Sequence, residues 1–218
     1  MSPLTSFGAC SAIGFVDQNN IVSALRGTEV VADATNVFAL LIVQGLKRRK
    51  NNSVVKYSTT HRHVRGQALS NPAFTAHFGV FCLATGGMDT GNFSFELEHL
   101  LEHMHLHFSL LSNEFKEDKL SIKIFLKDDN ETFHQKLKRR IIDFSNSVEI
   151  KIEREPNPNN YYKLVQFKFY LLYKGEEINL SDGGFVDWTQ KLIPNRKHRL
   201  IISGTGSELI HKIKKGEL

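Results

Sequence analysis

Tyr161 and Tyr162 open a run that reads as a strand through Phe167, and further on Glu176-Glu177-Ile178 leads into Asp182-Gly183-Gly184-Phe185-Val186-Asp187. Tyrosines, amides and an acidic side chain aimed at one point would suit a small polar molecule. Paired glycines let the backbone approach a ligand closely or simply turn the chain, and Asp187, just after them, is the candidate contact. Successive strand residues face opposite ways, so one tyrosine is expected at the ligand and the other in the core. Arg62 and Arg65, in His61-Arg62-His63-Val64-Arg65, are expected in a polar loop. Guanidinium groups there can bind phosphate or carboxylate, or stay solvated. Glu208 heads a final helix, as a ligand contact or as a complement to the helix dipole.

A second constellation lies in Glu98-His99-Leu100-Leu101-Glu102-His103. Its H-x-x-E-H spacing puts two histidines one turn apart, able to bind zinc while the glutamate activates a water. On that alternative His99 and His103 are metal ligands, Glu177 stands near the separation of a third ligand, and the chain is a metal-dependent hydrolase. The third ligand should come from a helix, however, and Glu177 falls in a hairpin. His99 and His103 lie off the main apolar stripe, beside Phe95, Leu106 and Leu110, as structural or solvated histidines also do. His105 and His107 add metal affinity only in principle.

The elements that must position these residues can be read from pattern. A chain of 218 residues fits one domain, 1–218, and can bury roughly two thirds of its unfolded surface without disulfides or metal. Hydrophobic content of 41% and charged content of 23% suit a globular protein, and no apolar run approaches the ~20 residues of a membrane span. Met1 to Ser6 lacks a basic region followed by an apolar stretch, so no secretory signal is expected. Cys10 and Cys82 have no zinc-type spacing and are expected as free thiols of a reducing cytoplasm. The net charge is +5, with basic clusters at Lys47-Arg48-Arg49-Lys50 and Lys136-Leu137-Lys138-Arg139-Arg140. These could contact a nucleic-acid backbone, but both fall near helix ends, where cations complement the dipole.

After an irregular start, 1–23, Thr28 is placed as the cap of a helix through Ala32, Val37, Leu40, Leu41 and Val43, with Glu29 and Asp33 in its first turns. Strands are expected from Ser53 to Ser58 and from Ala76 to Leu83, the second ended by Gly86-Gly87, with the polar loop between them running to Pro72. Phe93, Leu97, Leu100, Leu101, Met104, Phe108 and Leu111 make one helical stripe facing a sheet. A strand over Lys119 to Lys127, a helix over Glu131 to Phe144 and a strand over Ser147 to Arg154 follow. Leu164 to Tyr173 and Glu176 to Leu180 form a hairpin on Lys174-Gly175. A short helix over Trp188 to Leu192, a strand over Arg199 to Ser203 and a last short helix complete the chain. Antiparallel strands with helices beside them give an α+β layer architecture.

This order of elements resembles the catalytic core of class II aminoacyl-tRNA synthetases, from about Ala24 to Lys212, and within them the histidyl branch and the regulatory subunit of ATP phosphoribosyltransferase. Leu25-Arg26-Gly27-Thr28-Glu29 stands where that branch has Leu-Arg-Pro-Glu-x-Thr. His61-Arg62-His63-Val64-Arg65 stands at the second signature, Phe-Arg-x-Glu, and Phe74 to Phe81 at the strand that returns from it. The tyrosine pair and Phe185-Val186-Asp187 occupy the Tyr-Tyr and Gly-Gly-Arg-Tyr-Asp positions, and Gly206-Ser207-Glu208-Leu209-Ile210 the third signature, Gly-Leu-Glu-Arg-Leu. The resemblance implies a mostly antiparallel sheet flanked by helices. It also implies a ligand pocket drawing on Arg26, Glu29, Arg62, Arg65, Tyr161, Tyr162, Asp187 and Glu208.

The departures bear on chemistry. The family holds ATP with an arginine in each of its second and third signatures; Arg62 can fill the first role and Leu209 cannot fill the second. Val64 replaces the glutamate that reads the nucleotide, and the arginine that precedes Tyr-Tyr would fall near Asn157. The first signature, which builds the dimer, has no clear counterpart in 1–23, and no anticodon-binding domain is expected after Leu218. Each lost transition-state contact costs on the order of 3 kcal/mol, so histidine activation is expected to be gone. What remains is a non-aminoacylating, regulatory-type protein that binds an amino acid or nucleotide, with a protein partner or a second copy of itself. The alternative is an ATP-dependent ligase or transferase, using ATP with magnesium in the same pocket. Zinc enters only with the histidine helix.

Overall fold

A computed structural model describes residues 2–48, 53–67, 75–145, 148–154 and 161–218. In chain order the elements are β1 (Leu4–Ser6), β2 (Thr28–Val30), α1 (Ala34–Arg48), β3 (Val55–Val64), β4 (His77–Met88), α2 (Ser94–Glu114) and β5 (Leu120–Leu126). Then follow α3 (Glu131–Arg140), α4 (Ile142–Ser145), β6 (Glu149–Arg154), β7 (Lys163–Tyr173), β8 (Glu176–Val186), α5 (Trp188–Leu192), β9 (His198–Thr205) and α6 (Ser207–Lys215). Arg49, Lys50, Pro72, Phe74, Ser147 and Asn157, all named in the sequence expectations, lie outside the described residues.

Seven strands form one sheet in the order β3-β4-β9-β8-β7-β5-β6, antiparallel throughout except for β5 beside β6. The α+β expectation therefore holds. Lys174 (φ 50°) and Gly175 (φ 87°) both take the left-handed conformation that a tight hairpin between β7 and β8 needs. On one face α1 and α5 seat Phe38, Ala39, Ile42 and Trp188 against Ala84, Val186, Leu200 and Ile202. On the other, Leu97, Leu100, Met104 and Leu111 of α2, with Phe133 and Leu137 of α3, pack on Ile122, Ile124, Phe167 and Phe169. Each such side chain contributes about 1.5–3 kcal/mol by leaving water, so the two faces hold the sheet rigid between them. No helix among the described residues is long and apolar enough to cross a membrane.

Four local expectations are corrected. Thr28 does not cap α1. It pairs with Ser6 in a two-stranded ribbon, and the turn before it uses Arg26 (φ 59°) and Gly27 (φ 70°). Asp33 takes the capping role, its Oδ1 accepting from the Thr35 amide at 2.9 Å and the Thr35 hydroxyl at 2.7 Å. The expected polar loop around His61 to Val64 is strand, because β3 runs its full length against β4. Gly86 and Gly87 do not end β4: a side chain at the first would collide with Ile42 of α1, and at the second with Phe95 of α2. They are strand glycines that let a helix close on each face. Gly183 and Gly184 likewise lie inside β8, where side chains would collide with Phe167 and with the Tyr162 ring.

Candidate functional site

Strand register creates the site. Cys82 of β4, Gly204 of β9, Asp182 of β8 and Lys168 of β7 stand side by side in one row. Gly204 contributes no side chain, and a Cβ placed there would meet nothing nearer than 3.5 Å. Above it lies a cavity of about 410 Å³, lined among others by Asp33, Thr35, His63, Arg65, Phe78, Tyr161, Tyr162, Asp182, Glu208 and Lys212. Seven separate elements or their flanking turns thus meet at one hollow over the central strands.

Its cations are already matched. Arg65 pairs with Asp33 at 3.1 Å, donates to the Ala32 carbonyl at 2.9 Å and lies 5.5 Å from the Phe78 ring centre. Arg62 sits at the rim with its guanidinium 2.7 Å from Glu208, and Lys212 is 3.6 Å from the same carboxylate. Burial alone would raise the Glu208 pKa, but the Gly79 amide and these two cations hold it below the usual carboxylate range. Asp182 is different. Burial raises its pKa, Asp33 adds to the rise, and Lys168, Tyr162 and Gln166 only partly oppose it. Among the described residues no cation lies within ion-pair distance of Asp182.

The tyrosine phenols stay neutral, because burial pushes both far up and the nearby carboxylates push them further. Burial, reinforced by His61 and Arg65 and opposed by Asp33, lowers His63 to about 4, so it is a neutral imidazole at pH 7. Its Nε2 is buried with no hydrogen-bond partner, as is Oε1 of Gln166 beside Asp182. Buried polar atoms are nearly always paired, so the His63 orphan in the cavity wall calls for a ligand or water, and the Gln166 orphan lies on a neighbour of Asp182.

The expected site residues divide. Arg65, Tyr161, Tyr162 and Glu208 line the cavity, and Arg62 touches it through Glu208. Both tyrosines line it, against the expectation of one, because they lie in the bend before β7 where strand alternation does not apply; their rings are 4.7 Å apart at 75°. Asp187 does not reach it. It heads α5 and pairs with Lys191 at 2.9 Å, because the glycines before it continue β8 instead of turning. Arg26 is exposed in its turn. Glu29 is buried as a bracket: its carboxylate accepts from the Gly8 and Cys10 amides at 2.8 Å each and from Gln18 at 3.0 Å, tying the first residues to β2. Burial raises its pKa, and those donors more than reverse the effect.

Asp33, Thr35, His63, Asp182 and Gln166 were missed. The segment that enters α1 beside the cavity is Val31-Ala32-Asp33-Ala34-Thr35, six residues after 25–29. Asp182 lies two residues before Gly184 and so on its face of β8, a period-two signal readable in advance.

The histidine helix takes a different role. His99, His103 and His107 recur every four residues and all are buried, facing the sheet and not away from it, while Leu106 and Leu110 are exposed. His103 bonds Thr85 at 2.9 Å and Ser203 at 2.8 Å, and His107 bonds Ser203 at 2.7 Å and Thr205 at 2.6 Å. Both nitrogens of each ring are therefore engaged. His99 bonds Glu102 at 2.8 Å, and Glu177 pairs with Lys123 at 2.5 Å. No group of three or more His, Cys, Asp and Glu that could hold a metal occurs among the described residues.

No family profile matches this sequence, and no curated protein sequence does. Solved structures do match. The fold superposes on histidyl-tRNA synthetase of S. aureus with a TM-score of 0.69 and 14% identity, over 100% of this chain and 60% of that one. An ATP phosphoribosyltransferase regulatory subunit/histidyl-tRNA synthetase from Bacillus halodurans gives 0.72 and 13%, over 98% and 73%. A putative threonyl-tRNA synthetase from Aeropyrum pernix gives 0.68 and 11%, over 98% and 54%. The chain thus has a class II synthetase-like fold, as the order of its motifs implied. It spans between about half and three quarters of the length of these proteins.

Proposed function

We propose that this chain is a non-aminoacylating, class II synthetase-like protein that binds a small polar molecule in the cavity over Gly204 and acts in a regulatory role. The observation that carries the reading is the charge pairing at the cavity. Arg65 and Arg62, the arginines available to a triphosphate, are committed to Asp33 and Glu208. Adenylate chemistry needs fixed cations free to follow charge onto the transferred phosphate. Carboxylates, phenols and orphaned polar atoms remain, and these suit recognition more than transfer. The likeness to a structure described as a regulatory subunit supports a protein partner, and association of two copies is the other arrangement to test. The second reading, an ATP-dependent ligase or transferase with magnesium, rests on Arg62 and Arg65 releasing their carboxylates to a nucleotide.

A thermal-shift panel of amino acids, small amines, ATP with magnesium, and zinc tests this, run beside a pyrophosphate-release assay. A ligand that binds only the folded state at a hundred times its Kd stabilises by about 2.7 kcal/mol, or roughly 5–10 °C in a chain of this size. The expected result is such a shift with an amino acid or amine and no pyrophosphate. A shift with ATP accompanied by pyrophosphate would establish the second reading, and stoichiometric zinc retained after dialysis would revive the hydrolase. No shift with any organic compound would sink the proposal.

A further inference from the structure

From the unmatched charge at the cavity we infer the class of ligand: a small organic cation that donates several hydrogen bonds, such as a primary amine or guanidinium, in preference to nucleotides, phosphates or zwitterionic amino acids. The inference rests on the cavity being a ligand site, and it deepens that reading by fixing the sign of the ligand.

Asp182 carries it. Its side chain lines the cavity next to Gly204, whose missing side chain leaves the carboxyl facing open space. Tyr162 and Gln166 hydrogen-bond the carboxyl, so its position is fixed. Lys168, the cation nearest in register, stacks over the Phe125 ring at 5.5 Å and acts on Asp182 only through space, beyond ion-pair distance. Every other cation at the cavity, Arg62, Arg65 and Lys212, already faces a carboxylate of the chain. A phosphate or a ligand carboxylate entering here would meet matched cations and one unmatched acid. An ammonium would meet an acid waiting for a partner.

The orphaned atoms point the same way. Oε1 of Gln166 is an acceptor with nothing to accept from, on a residue that holds Asp182. Nε2 of His63, buried in the cavity wall, belongs to a neutral imidazole and can serve as a second acceptor. An ammonium carries three N–H donors and a guanidinium five, the donors that a carboxylate and neutral acceptors lack here. Tyr161 and Tyr162 present aromatic rings at the same wall, a surface that attracts cations.

Calorimetric titration of the whole chain with putrescine, agmatine and histamine, and separately with arginine, histidine, ATP with magnesium, and pyrophosphate, tests the inference. At least one amine should bind more tightly than every anion and amino acid, and 1,4-butanediol, the neutral counterpart of putrescine, should not compete. Asp182→Asn keeps the shape and one acceptor oxygen for Tyr162 and Gln166, and should weaken amine binding at least about 30-fold, as expected when one partner of a buried pair is neutralised. Should the variant fold poorly, the amine-against-diol comparison on the wild type decides alone. Amine binding unchanged in folded Asp182→Asn would overturn the inference. So would tighter binding of ATP or an amino acid, which would leave the cavity standing as a ligand site. Silence from the entire panel would overturn both.

Discussion

Lowering the pH from 6.5 is expected to destabilise the protein steeply, by up to about 4 kcal/mol per pH unit, because three buried imidazoles must stay neutral in the folded state. Burial depresses His103 to about 3, with His107 and His99 adding to the effect and Glu102 opposing it. Burial alone depresses His107 to about 3, and His63 is held at about 4. In an unfolded chain each would bind its proton near pH 6.5. The folded pKa lies below the unfolded one, so below pH 6.5 the unfolded state holds more protons. The stabilisation is therefore complete above pH 6.5 and drains away as pH falls toward 4 and then 3. Asp182, whose pKa is raised, works in the opposite sense and offsets part of one proton. A net stability of about 6–10 kcal/mol would be exhausted between roughly pH 5 and 4. Urea unfolding followed by circular dichroism in half-unit steps from pH 7.5 checks it. A flat stability between pH 7 and 5 would show that these rings are not buried neutral.

Ser203→Ala should cost about 2–5 kcal/mol, the largest loss expected from removing a single oxygen, since each stranded buried partner costs about 1–3 kcal/mol. Ser203 Oγ lies between His103 Nδ1 and His107 Nε2, and the chain continues through Thr205 to Ser181 at 2.6 Å. A neutral imidazole has one N–H and one lone pair, so the hydrogen bonds must all run one way along the chain. The central hydroxyl donates to one ring and accepts from the other. Without it two ring nitrogens lose their partners under α2, where water has no access. Thermal unfolding should show a fall of roughly 5–15 °C. A change under 0.5 kcal/mol would mean that the chain adds nothing to stability. Protonating either ring would turn a lone pair into a donor, so acid sensitivity and this loss have one origin.

Periodicity in the sequence was enough to show the layers. The apolar stripe of α2, the Lys174-Gly175 turn and the alternation of β5 are local patterns, and each element formed where its pattern lies. What pattern could not show was pairing at a distance. Gly86, Gly87, Gly183 and Gly184 look like turns because the side chains they make room for, Ile42, Phe95, Phe167 and Tyr162, stand elsewhere in the chain. The sequence leaves His99 and His103 open between structural, solvated and metal-binding roles because Ser203 and Thr205, which pair with His103 and His107, lie about a hundred residues onward. At the cavity the tyrosines and Glu208 were legible by type and order. Asp187 looks like the site acid because Gly183-Gly184 reads as a turn, whereas both glycines lie inside β8 and Asp182 faces the cavity; Arg26 and Glu29 stand away from it because the chain bends again before α1, bringing Asp33 and Thr35 there.

The most direct measurement is a titration of wild type and of Gly204→Leu with the tightest ligand from the panel. Gly204 has no positive φ and a Cβ there would make only ordinary contacts with Phe81, Val80 and Cys82, so a leucine side chain would project into the cavity. The account predicts that saturable binding disappears in the variant while its melting temperature stays level or rises. Equal affinity in the two proteins would place the ligand elsewhere and contradict the account at its centre.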